Sequence, residues 1–321
     1  MIGVPARIRI VDLGRDDTPP PGVQSEPECI IGVSRDGTLA PAAERWLDRA
    51  DFSITTIETD DSRLVRVSDV DAVIDTCRSR VSAHPVSTRV LTDILRCTWS
   101  ETTAGLLVES LGYSTLQAGS EFQRWLRAQK PRRRRDGVGF VLVDREGDRL
   151  FVTLNQPDRH NAFSDVLRAE LLDALSVALL DTDIRSVHLS GAGPSFSSGG
   201  DLSEFGLFDD PARSHAARMD HSPALALVQL ANRLGRQLSA RVHGAVLGSG
   251  LEMAAFCTDI EAHPDSVFGL PELDLGLIPG AGGTVSVTRR IGRWRTAYLV
   301  ISGHRIDATT AAAWGLVDHV R

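Results

Sequence analysis

The chain has 321 residues, 42% of them apolar and 24% charged, with a formal net charge of -7. That length exceeds what one hydrophobic core usually organises, so two domains, or one large domain with an appendage, are expected, with ample material for a closed pocket. The acidic balance argues against a nucleic acid or an anionic membrane as the main partner and favours a small or mid-sized molecule.

No apolar run approaches the roughly 20 residues that span a bilayer, and the stretch from Met1 to Asp16 has no signal-peptide core, so a cytoplasmic protein is expected. Cys29, Cys77, Cys97 and Cys257 share no close spacing, which suggests reduced core thiols rather than a zinc site or a disulfide framework. Lys130 is the only lysine, which confines Schiff-base chemistry to that position.

In chain order, residues 1–26 are rich in Pro, Asp and Gly and read as a partly disordered leader, to which no element is assigned. Residues 27–130 read as an accessory domain, small α/β or mostly helical. Short strands are expected at Ile30 to Val33 and Phe52 to Ile57, then helices at Val70 to Arg80, Val86 to Trp99, Thr102 to Leu111 and Glu121 to Ala128. Residues 131–137, with Arg132 to Arg135, break every period and read as a linker. Phosphate or RNA contact is the sharper reading of that run; a solvated linker is the plainer one, and the acidic balance supports it.

From residue 138 the pattern changes. The runs Gly139 to Asp144 and Arg149 to Leu154 flank Glu146-Gly147-Asp148 as in a hairpin. A helix starting at Ser164 and a strand at Ser186 to Leu189 follow. The unit recurs, with a helix at Ala224 to Leu238, a strand at Ala240 to Leu247, a short helix at Gly250 to Cys257 and a strand at Asp259 to His263. Such repetition suggests ββα turns.

Two glycine-rich strand-to-helix turns stand out, Ser197-Ser198-Gly199-Gly200-Asp201-Leu202 and Gly248-Ser249-Gly250. Turns of this kind expose backbone N–H groups, and two facing each other could hold an anionic oxygen. Glu252 and Glu272 follow in segments otherwise apolar or glycine-rich, where a charge needs a reason. Ordinary turns and surface carboxylates are the plain alternative for each feature taken singly.

Together with Gly276 to Thr284, Ser302-Gly303-His304-Arg305-Ile306 and Ala313-Trp314-Gly315-Leu316-Val317, these blocks resemble the crotonase (enoyl-CoA hydratase/isomerase) superfamily over about residues 138–320. The resemblance implies an α/β fold, a spiral of ββα units, and an acyl-CoA thioester substrate. It implies backbone donors at Gly200 and Ser249 for the thioester oxygen, and Glu252 and Glu272 as the acid/base pair of a hydro-lyase. It places Asp201, Leu202, Arg159 and His160 near coenzyme A, which enters as part of the substrate, with no metal and no permanently bound cofactor. His243 reads as a turn histidine. Family members assemble as trimers or hexamers, so a homo-oligomer is expected. The sequence ends at Arg321, short of the helices with which family members continue, so the N-terminal domain is expected to cover the face those helices would cover. The segment from Phe205 to Ala226 is expected to line the acyl pocket along a course the sequence leaves open. Another crotonase-type reaction (isomerisation, thioester hydrolysis, arylacetyl-CoA oxygenation) and a non-catalytic acyl-CoA-binding protein are the alternatives.

Overall fold

The computed structural model describes residues 7–15, 28–97, 101–130, 137–207 and 210–321. Most of the leader and the Arg132 to Arg135 run lie outside them. One correction falls at the start. Arg7–Asp12 is a strand, β1, paired in parallel with β2, Glu28–Ser34. Its apolar positions reach inward, and Val11 and Leu13 join Ile30, Trp46 and Leu47 in a small core. The Pro- and Asp-rich surroundings hide that alternation from composition.

The helix α1, Ala43–Arg49, is followed by β3, Phe52–Thr55, and β4, Leu64–Arg66, which complete a four-stranded parallel sheet in the order β1-β2-β3-β4. Four helices follow: α2, Val70–Ala83; α3, Pro85–Arg96; α4, Thr102–Gln117; and α5, Ser120–Ala128. Asp69 caps α2 by accepting from the Ala72 N–H at 3.0 Å. The N-terminal region is therefore α/β, with its helices gathered at the end nearest the rest of the chain.

The hairpin is present as β5, Val141–Glu146, antiparallel to β6, Arg149–Leu154. Next come α6, Asp165–Leu180, capped by the Ser164 hydroxyl, and β7, Ser186–Gly191. The helices α7, Pro211–Asp220, and α8, Pro223–Leu234, lead to β8, Leu238–Val242, β9, Ala245–Leu247, and the short α9, Ser249–Ala254. Then β10, Asp259–Ala262, and β11, Val267–Gly269, precede α10, Gly283–Ser302, which is kinked at Gly292. The chain closes with β12, Ile306–Asp307, α11, Ala308–Trp314, and β13, His319–Val320.

Two sheets organise this half, one of order β13-β10-β8-β7-β6-β5 and one of order β12-β11-β9. Twice the chain lays a strand in the larger sheet and then one in the smaller, as β8-β9 and as β10-β11, and α9 follows the first pair. The two halves share one apolar core. Phe52 meets Tyr298 edge to face at 5.6 Å, and the Trp294 indole N–H donates to the Leu47 carbonyl at 3.0 Å. Arg80 Nε donates to the Ile301 carbonyl at 2.9 Å. No helix among the described residues is long and apolar enough to cross a membrane.

Candidate active site

Close backbone approach builds the site. The residues after β7 run beside β9, with the Ser197 N–H donating to the Ala245 carbonyl at 3.0 Å and the Leu247 N–H to the Ser197 carbonyl at 3.0 Å. A side chain at Gly250 would put its Cβ 2.5 Å from Ser197 Cβ. Gly248, at φ 48, ψ -128, needs a backbone open only to glycine, and a Cβ there would lie 2.7 Å from Glu272 Oε1. The turns at 197–200 and 248–250 therefore meet, with Glu272 against them. Among the described residues, the N–H groups of Gly200 and Ser249 donate to nothing within the chain.

Glu252 on α9 is 2% exposed. Its Oε2 accepts from the N–H of Ala281 at 2.7 Å and of Gly283 at 2.8 Å. Burial, then the carboxylates of Glu272 and Glu109, hold its carboxyl well above the usual range, and the two backbone donors offset part of that. Glu272 opens a single 3-10 turn, Glu272–Leu275, and its buried Oε2 has no hydrogen-bond partner. Burial pushes its carboxyl up to about 8.

A third carboxylate comes from the N-terminal half. Glu109, on α4 and 2% exposed, accepts from the Gly282 N–H at 2.6 Å, the Thr284 N–H at 2.8 Å and the Thr284 hydroxyl at 2.7 Å. Burial pushes it up to about 7. One turn on, the Tyr113 ring packs so closely on Gly280 that a Cβ there would lie 2.2 Å from it. Sequence reasoning missed both residues. The available signal was that Glu109 is the one charged residue in Thr102–Gln117.

All of this surrounds one cavity of about 440 Å³. Gly200, Ser249, Glu252, Glu272, Asp201 and Leu202 line it, together with Glu109 and Tyr113. The segment with the open course supplies Phe205 and α7, whose Ser214 and Arg218 complete one wall. Arg159 and His160 do not line the cavity. Arg159 pairs with buried Asp201 at 3.0 Å, and His160 Nδ1 lies 2.9 Å from the Ser195 hydroxyl. His243 Nε2 lies 2.8 Å from the Gly193 carbonyl, a turn contact away from the carboxylates.

Two sheets that share their chain in alternation, with facing glycine turns and two glutamates on one cavity, define a crotonase-type fold. The sequence profile described as enoyl-CoA hydratase/isomerase matches residues 147–321, and the chain belongs to that family. A 2,3-dehydroadipyl-CoA hydratase of Escherichia coli (strain K12) is 36% identical over 181 residues, covering 56% of this chain and 68% of the relative. A probable mitochondrial enoyl-CoA hydratase of Dictyostelium discoideum is 34% identical over 178 residues, covering 56% and 62%. Among solved structures, an enoyl-CoA hydratase from Thermoplasma volcanium GSS1 matches with a TM-score of 0.51 at 34% identity, covering 57% of this chain and 71% of that one. Pseudomonas aeruginosa DspI matches with a TM-score of 0.52 at 30% identity, covering 58% and 70%. The family match begins at residue 147, so α1–α5 and Glu109 lie outside it.

Proposed function

We propose that this chain is an enoyl-CoA hydratase-like lyase that adds water across the double bond of a 2-enoyl-CoA thioester, or runs the reverse dehydration. The observation that carries this reading is the placing of Glu252 and Glu272 on one cavity beside two backbone N–H groups that have no acceptor. In this reading the thioester oxygen sits on the N–H groups of Gly200 and Ser249, where charge accumulates as C3 is attacked. Losing one such donor typically costs about 100-fold to 1000-fold in rate.

The two glutamates differ in a way that suits division of labour. Glu252 is anchored through Oε2 by two backbone donors, which offset part of the upward push of burial and neighbouring carboxylates and leave Oε1 for a water molecule. Glu272 has no donor on Oε2, and burial pushes its carboxyl up to about 8. Glu252 takes a proton from water as its oxygen bonds to C3, the electron pair passes to the thioester oxygen, and Glu272 delivers a proton to C2. The proton on Glu252 then returns to Glu272 to close the cycle. In this reading Asp201 and Leu202, beside Gly200, and the neighbouring Arg159 and His160 meet the coenzyme A portion of the substrate.

Reaction in water enriched in oxygen-18 tests the assignment. A 3-hydroxyacyl-CoA carrying the label at C3 supports it. A 3-enoyl-CoA would replace it with isomerisation, and free coenzyme A with thioester hydrolysis.

A further inference from the structure

Two arginines line the cavity, and they differ. Arg168 is paired with Asp165 at 2.8 Å. Arg218, on α7, makes no ion pair among the described residues. Its guanidinium lies over the Tyr113 ring at 4.2 Å, and its Nη2 donates to Gln117 Oε1 at 2.9 Å and to the hydroxyls of Ser214 at 2.8 Å and Ser114 at 3.3 Å. Among the described residues Nη1 donates to nothing, and Nε is buried without a partner.

The carboxylates of Glu109 and Glu252 attract this charge from a distance, but among the described residues none pairs with it. Glu109 turns both oxygens to Gly282 and Thr284, and Glu252 turns Oε2 to Ala281 and Gly283. Asp201 is taken by Arg159, and Asp274 by Arg80. A guanidinium drawn out of water with no carboxylate in contact is costly unless a ligand supplies one. Its place tells which part of a ligand that would be. Tyr113 touches both Arg218 and Gly280, at the start of the loop that holds Glu252, and the guanidinium lines the same cavity as the acid/base groups. The phosphates of coenzyme A are separated from the thioester by the whole pantetheine arm and do not reach so near the reacting carbons.

We propose that Arg218 receives a carboxylate at the far end of the acyl chain, so that the preferred substrates are coenzyme A thioesters of dicarboxylic acids. This rests on the acyl-CoA reading of the cavity. It commits the wall formed by α4 and α7 to specificity, with Tyr113 and Gln117 orienting the guanidinium and Glu109 outside the contact.

The test compares trans-2-hexenedioyl-CoA with trans-2-hexenoyl-CoA in wild type, Arg218→Met and Arg218→Lys, with thermal unfolding to confirm the fold. Wild type should favour the carboxylate substrate in kcat/KM. Arg218→Met should lower that ratio by about 10-fold to 100-fold, the scale of a charge-assisted hydrogen bond, and Arg218→Lys should restore part of it. An unchanged ratio, or equal loss on both substrates, overturns the proposal. Calorimetric binding of adipoyl-CoA, hexanoyl-CoA and coenzyme A needs no turnover. Selective loss of adipoyl-CoA affinity in Arg218→Met upholds the carboxylate site even if hydration fails. Equal loss with coenzyme A alone would assign Arg218 to a phosphate and overturn it.

Discussion

Glu252 and Glu109 hold alternate N–H groups of one loop. Glu252 takes those of Ala281 and Gly283, and Glu109 takes those of Gly282 and Thr284. The two residues are 143 positions apart in sequence and come from the two halves of the chain, so the loop that fixes a proposed catalytic carboxylate is itself fixed by the N-terminal half.

Glu109→Gln should therefore disturb the site without touching substrate. The amide offers one acceptor oxygen where the carboxylate offers two, which leaves one loop N–H facing an NH2 group. An unsatisfied buried donor costs about 1–3 kcal/mol. Thermal unfolding should show that loss, and kcat should fall more than KM rises, because Glu252 is displaced while the cavity persists.

Stability should depend on pH through Glu272. Its folded carboxyl stands at about 8, above its ordinary 4.5, so the folded state binds the extra proton between those values. The slope of unfolding free energy with pH is then negative in this window. The contribution is fully present below about pH 4.5 and is lost as pH rises through 8. Glu272→Gln should flatten this limb of the melting curve between pH 5 and about 9, and a limb of unchanged slope would contradict the protonated assignment.

Gly248→Ala should cost more than a methyl group suggests. The residue sits at φ 48, ψ -128, and its new Cβ would meet Glu272 Oε1 at 2.7 Å. Strain of this kind costs on the order of 1–3 kcal/mol. Activity should fall together with melting temperature, whereas Gly147→Ala, also at positive φ but with open space around its Cβ, should lower melting temperature alone.

A fragment of residues 138–321 should not behave as a domain. It would expose Tyr298, Val300 and Ile301, all 2% exposed or less in the full chain, and would lose Glu109 from the loop. Chromatography should find it aggregated, and a monodisperse fragment would show that the shared core is dispensable.

Much of this was legible in the sequence because it is local. The hairpin around Gly147, the Ser164 cap and the two glycine turns announce themselves within a few residues, and Glu252 and Glu272 stand out as charges in apolar surroundings. Glu109 gave the same signal in α4, yet its partners lie about 170 residues away and no local pattern names them. Arg218 looks like one more arginine of an amphipathic helix until α7 is packed on α4 and its guanidinium faces the cavity. β1 was hidden by its neighbours' composition, and only pairing with β2 makes a strand of it.

The central claim is that Glu252 and Glu272 add water to an enoyl thioester. It is tested most directly by following the conjugated thioester band of crotonyl-CoA and of a longer 2-enoyl-CoA with wild type, Glu252→Gln and Glu272→Gln side by side. Wild type should remove the band, and each variant should do so more slowly by about 100-fold or more, within the range for a positioned acid or base. Wild type that binds the thioester and leaves the band intact, or variants that turn over at the wild-type rate, would contradict it.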